Sequence, residues 1–280
     1  MATDPYTAPR SRVADVPAAG EGNFDAQGQA VPAGHGWTWI AEGWALFRRQ
    51  PGTWILLLIV FVIISFLIAL IPILGSIASN LLWPVFAGGL ILGCRELDHG
   101  GELAVGHLFA GFRDHFGKLV VIGILYLVAL IVVMLVAFAI AGAGAGFGAL
   151  MGTQGAPAVG VRTILLAVLV ALALLVPIAM AAWFAPALVA LNDLRVGDAI
   201  KASFWACLRN IIPFLVYGLI GLGLAILASI PLGLGWLVLG LIGLKPGILA
   251  SILLGLGWIA ALSILAASVY AAYRDIFYTS

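Results

Sequence analysis

The chain has 280 residues, 64% of them apolar and only 9% charged, with a net charge of +1. Soluble domains are about a quarter charged, and a soluble fold of this length still exposes about a quarter of its unfolded surface. The composition therefore excludes a water-soluble globule, points to lipid as the solvent, and gives no reason to expect a nucleic-acid partner.

Residues 1–35 are rich in Pro, Ala, Gly and Asp and poor in large apolar side chains, the composition of a disordered tail. They lack the basic-then-apolar pattern of a cleavable leader, so the first span is expected to direct insertion and to stay. Residues 36–50 read GWTWIAEGWALFRRQ, with Trp37, Ile40, Trp44 and Phe47 at helical spacing and Glu42 and Arg49 on the other side. This pattern predicts an amphipathic helix at the membrane surface, ended by Pro51-Gly52.

Six spans follow, near 53–71, 76–94, 119–141, 163–190, 211–231 and 248–271, each close to the ~20 apolar residues that a bilayer core requires. Pro72 to Gly75 makes the first turn. Residues 94–118, CRELDHGGELAVGHLFAGFRDHFGK, make the second connection and hold three of the four histidines. The third runs from Gly142 to Val161 and opens within the stretch AGAGAGFGAL over 141–150, where glycine weakens a helix by about 1 kcal/mol per residue, so a break is expected there. The fourth spans 192–210. The fifth, 231–247, is apolar enough to be either a re-entrant piece or an ordinary turn.

With six spans, the N-terminus, the second and fourth connections and the C-terminus share one side. That side carries eleven of the thirteen Lys and Arg, with only Arg162 and Lys245 opposite, and all twelve acids. The positive-inside rule then places both termini in the cytoplasm. Cys94 and Cys207 fall on the same side and are expected to be free thiols.

Ala45-Leu-Phe-Arg-Arg-Gln-Pro-Gly52 aligns without gaps to Ala110-Gly-Phe-Arg-Asp-His-Phe-Gly117, and Ala202-Ser-Phe204 opens a third, weaker copy. In the second copy Val105, Leu108, Phe109, Phe112 and Phe116 make one helical face. The expected fold is an all-α polytopic membrane protein: three parallel repeats of an interfacial helix followed by a two-helix hairpin.

Candidate chemistry is sparse. His99, His107 and His115 lie near Asp98, Glu102 and Asp114, but the eight-residue spacing of the histidines does not stack them on one helix face, so no metal site is assigned. Ser203, Cys207 and Asp198 share a helix without a nearby histidine, so no nucleophile and no catalytic residue is assigned. No cofactor is implied. Arg48, Arg49, Arg113, Lys201 and Arg209 recur where helices meet the membrane. They are the candidate residues for binding anionic lipid headgroups, beside their ordinary role of orientation and snorkelling. Pro84, Pro177 and Pro186 interrupt spans, and Gly89, Gly93, Gly218, Gly221 and Gly223 suit close helix packing. The spans hold no charge at depth, which argues against an ion-coupled pump.

Phe184-Ala-Pro-Ala-Leu-Val189, followed by AIKASFWACLRNIIPFLVYG over 199–218, resembles an uncharacterised bacterial family of six-helix inner-membrane proteins. That family is similar in pattern to the membrane domain of some glycerophosphodiester phosphodiesterases. GWTWIAEGWALFRRQPG and PVFAGGLILGCRELDHG fit it as well, so the resemblance covers about residues 36–278. It implies a six-helix membrane domain over 36–280 and brings no catalytic residues. The expected role is therefore non-enzymatic and structural or accessory, in contact with membrane lipid, a protein partner or a second copy. The alternative is a transporter or channel for a small or lipid-like molecule. An open polar cavity on the bundle axis would favour that alternative. The Arg95–Glu102 stretch lies outside the repeat and is the place to look for a private function.

Overall fold

Residues 22–150, 157–241 and 248–279 are described by the structure, a computed structural model of the chain. Among them nine α-helices follow in order: α1 (His35–Arg49), α2 (Pro51–Ala69), α3 (Leu74–Asp98), α4 (Phe116–Leu150), α5 (Pro157–Trp183), α6 (Ala185–Asn192), α7 (Val196–Arg209), α8 (Ile211–Leu241) and α9 (Ile248–Phe277). A 3-10 helix over Val105–Phe112 lies between α3 and α4. The fold is all-α apart from two-residue strands, β1 (Asn23–Phe24) and β2 (Tyr278–Thr279), which pair antiparallel. Six stretches are long and apolar enough to cross a membrane: 51–69, 74–98, 116–143, 161–192, 211–230 and 257–277.

Local chemistry explains most boundaries. Gln50 leaves the helical region (φ −145°, ψ 64°), and Pro51 then opens α2, where its missing N–H has no partner to lose. Pro51 therefore begins the next helix instead of ending the first. Pro84 and Pro177 lie inside continuous helices, whereas Pro186 sits in the first turn of α6, just after the break at Phe184. The Ser203 hydroxyl fills that break. It accepts from the Phe184 N–H at 2.9 Å and donates to the Met180 carbonyl at 2.7 Å. A side chain inserted into the helix ladder is a recognised cause of such kinks.

Several sequence expectations change. The Gly-rich stretch from Gly142 does not break α4, which runs on to Leu150. Without water to compete for backbone groups, glycine costs a membrane helix less. Only 151–156 of that connection lie outside the described residues. Likewise 231–241 continue α8, and of the undecided fifth connection only 242–247 lie outside. Of the N-terminal 35 residues, 1–21 lie outside the description. From residue 22 the segment is held in place. Asp25 N–H donates to the Phe277 carbonyl, Gln29 N–H to the Ile276 carbonyl, and Val31 N–H to Asn210 Oδ1 at 2.8 Å.

The segment 105–112 winds as a 3-10 helix and not as an α-helix. Its three-residue turn stacks Leu108 and Gly111 against α3 and leaves Phe109 and Phe116 exposed. The backbones approach closely at two glycines and a side chain packs on a third. A Cβ on Gly89 would lie 2.5 Å from the His107 carbonyl oxygen and one on Gly111 closer still to the Val85 carbonyl oxygen, while one on Gly93 would lie 2.7 Å from Leu103 Cδ1. Gly43 of α1 makes the same kind of approach to α9, where a Cβ would meet the Ile264 carbonyl oxygen at 2.6 Å. Gly218 and Gly223 have nothing within 4 Å, whereas a Cβ on Gly221 would meet Leu265 Cδ2 of α9 at 3.7 Å, so of these three glycines only Gly221 faces a neighbouring helix.

Burial is concentrated at one end of the bundle. Trp54 and Leu57 at the start of α2, Leu119 and Ile122 at the start of α4, all of 185–190, and most of 267–277 are buried. Beyond these the helices expose apolar side chains such as Phe66, Leu135, Phe138, Leu169 and Leu219. Lipid does not penalise that exposure as water would. The packed end is the charged end. There α1 seats on α9, the 3-10 helix on α3, and α7 on α5 and α6.

Candidate functional site

Among the described residues, the charged end contains a half-buried polar knot, built by α1, α3 and α9. Glu42, Ala45, Leu46 and Arg49 of α1 recur at helical spacing and line one wall of a cavity of about 90 Å³. Asp98 from the end of α3 and Tyr270, Ala271 and Arg274 from α9 line the rest. Arg274 is the centre. Its Nη1 donates to Asp98 Oδ2 at 2.5 Å and its Nη2 to Glu42 Oε2 at 2.8 Å. Tyr270, one turn earlier, donates to the same Asp98 oxygen at 3.2 Å. Arg49 Nη1 caps the end of α3 through the Leu97 carbonyl at 2.6 Å.

Burial holds the Glu42 carboxyl above its ordinary range. Arg274 pulls the other way, and Asp275 and Asp98 push it further up. One residue beyond Arg274, Asp275 accepts from His35 Nδ1 at 2.8 Å and Trp39 Nε1 at 2.7 Å. The cavity has room for about three waters at liquid density. The arrangement is a charge-balanced lock between three helices.

In the sequence Glu42 falls on the polar side of the first amphipathic helix, and Arg274 is one of the eleven basic residues that set orientation. The signal was nonetheless present. Glu42 and Arg49 are seven residues apart on one face, and Asp98 lies inside the Arg95–Glu102 stretch singled out above. What the chain order hid is that this face of α1 meets α9, more than 200 residues away.

The five candidate lipid-binding residues have different surroundings. Arg48 lies over the Trp44 ring, 5.7 Å from its centre. Arg49 points into the cavity. Arg113 is exposed just after the 3-10 helix. Lys201 and Arg209 come together on α7, in an open groove of about 480 Å³ that they share with Asp198, Trp205, Leu194 and residues 26–27. Arg209 is oriented there by the Gln27 and Gly28 carbonyls at 2.9 and 3.1 Å.

Residues that join a short helix to the next long one reach for a neighbouring connection. Gln50 Oε1 accepts from Leu103 N–H at 2.9 Å, and Asn210 Nδ2 donates to the Gln29 carbonyl at 2.9 Å. His115 faces Asp193 at 3.3 Å. Lys118 also bonds Asp193, at 2.7 Å, and this bond chiefly holds that carboxyl below its usual range.

Among the described residues no group of three His, Cys, Asp or Glu side chains is placed to hold a metal. His107 Nδ1 accepts from Ala104 N–H at 3.0 Å, while Asp98 is taken by Arg274. Ser203 is committed to the α5–α6 break. Burial pushes the Cys207 thiol up to about 12, against a weaker opposing influence from Ser203, the direction that disfavours the nucleophilic thiolate.

The chain is 33% identical over 204 residues to a probable inner membrane protein of Burkholderia thailandensis, an overlap of 70% of this chain and 75% of that protein. No protein-family model and no solved structure matches it. These comparisons show no link to glycerophosphodiester phosphodiesterases.

Proposed function

Because the chain belongs to the family of the probable inner membrane protein of Burkholderia thailandensis, we propose that it is a non-enzymatic accessory component of the bacterial inner membrane. In this reading both termini and the packed, charged end face the cytoplasm. The chain is three units, each a short interfacial helix and a two-helix hairpin, and the short helices meet lipid headgroups through Arg48, Arg113, Lys201 and Arg209. The carrying observation is how the charges are used. The charges of the polar knot pair with one another around a void of about 90 Å³, too small for a substrate by the ~300 Å³ lower bound of ordinary ligand pockets. Exposed cations sit instead beside exposed aromatic rings, Arg48 by Trp44 and Lys201 by Trp205. That combination suits the membrane interface. A transporter or channel would require a continuous polar path, which a void of this size does not by itself supply.

The test is lipid selectivity of the purified chain in nanodiscs. The triple replacement of Arg48, Arg113 and Lys201 by Gln removes three cations at about 1 kcal/mol each near an anionic surface. The preference for phosphatidylglycerol over phosphatidylcholine should fall by about a hundredfold. An unchanged preference at unchanged thermal stability would exclude the lipid role.

A further inference from the structure

The groove on α7 holds a combination that a purely anionic ligand does not explain. Asp198, Lys201, Ala202, Trp205 and Arg209 recur at helical spacing on one face, opposite the buried Ala199, Ser203, Ala206 and Cys207. The N-terminal segment walls this face at Ala26 and Gln27, so it is an open groove with one side closed by the chain. Two cations and one carboxylate line it together. Arg209 is held in a fixed pose by two backbone carbonyls through Nη1 alone, and a guanidinium has five N–H donors. Trp205 offers an exposed ring between the charges. Just beyond, α8 begins at Ile211, and Ile212, Leu215, Leu219, Leu222 and Ile226 form a continuous exposed apolar stripe down it.

We propose that this groove binds the headgroup of a zwitterionic aminophospholipid. Its phosphate sits on Lys201 and Arg209, its primary ammonium on Asp198 beside the Trp205 ring, and its acyl chains along the α8 stripe. The phosphate is matched by charge-assisted bonds from the guanidinium and the lysine. The ammonium hydrogens require an acceptor, which Asp198 supplies and which a trimethylated headgroup has no N–H to use. The volume of about 480 Å³ suits a headgroup with its glycerol. The site rests on the lipid-facing placement of the charged end proposed above, but it discriminates through the ammonium N–H donors that Asp198 accepts, whereas the anionic-lipid preference follows net charge alone.

Native mass spectrometry of the full chain in detergent, titrated with dioleoyl phosphatidylethanolamine, -choline and -glycerol and with free glycerophosphoethanolamine, tests it. Phosphatidylethanolamine should bind about tenfold tighter than phosphatidylcholine, the ratio expected of one charge-assisted hydrogen bond. Asp198→Asn should bring the two within about twofold, and Lys201→Gln should weaken both alike, with thermal stability unchanged in each. Equal binding of the two lipids by the parent overturns the proposal. So does indifference to Asp198→Asn, or free headgroup binding as tight as the lipid. Loss of this selectivity with the phosphatidylglycerol preference intact would remove the groove site and leave the accessory-protein reading standing.

Discussion

Arg274→Gln is the most informative single change. The side chain bridges Asp98 at 2.5 Å and Glu42 at 2.8 Å, with Asp98 only 16% exposed. Breaking a fully buried pair costs ~3–5 kcal/mol because a charge is left unmatched. Arg274 is itself 43% exposed, so solvent screening reduces this, and we expect about 2 kcal/mol. For a chain of this size that is a fall in Tm of about 4–8 °C, read by thermal unfolding in detergent at pH 7. The combined Asp98→Asn/Arg274→Gln variant should recover part of it, since the stranded carboxylate is gone.

The pH dependence gives an independent check. Glu42 has a folded pKa above its ordinary 4.5, so above that pH the folded chain binds the proton more tightly than the unfolded chain. Its contribution then makes stability fall as pH rises. Removing Arg274 takes away the main influence holding that pKa down. The deficit of Arg274→Gln should therefore be greatest near pH 7 and shrink toward pH 4.5. A Tm within about 1 °C of the parent, or a deficit that grows on acidification, would refute the lock.

Further expectations concern packing. Ser203→Ala strands the Phe184 N–H and the Met180 carbonyl and should cost about 1–3 kcal/mol in thermal unfolding. Gly43→Ala places a Cβ 2.8 Å from Ser268 N and should destabilise by about 1–3 kcal/mol. Gly52→Ala meets nothing within 4 Å and should be neutral or stabilising by up to about 1 kcal/mol. Cys207, with its thiol at about 12, should resist N-ethylmaleimide at pH 7.5 in the folded chain and react once the chain is unfolded.

The spans were legible because lipid imposes length and apolarity directly, so 53–71 and 211–231 fall within two residues of the stretches found. Helix boundaries were less legible where lipid changes the rules learned in water. The glycines after Gly142 continue a helix that water would fray. The winding of 105–112 is not legible in side-chain periodicity because its close backbone contacts with α3, at Gly89 and Gly111, leave no local pattern. The polar knot was half legible, since Asp98 and Glu42 stand out as acids near apolar runs. Their partner Arg274 is 176 residues beyond Asp98, and no local pattern joins positions so far apart.

Which way the packed end faces decides every functional statement above. Fusing a reporter that is active only outside the cytoplasm after residue 150, and in parallel at the C-terminus, measures it directly. The account requires activity at residue 150 and none at the C-terminus. The reverse result would put Arg48, Lys201 and the α7 groove on the outer leaflet and contradict it.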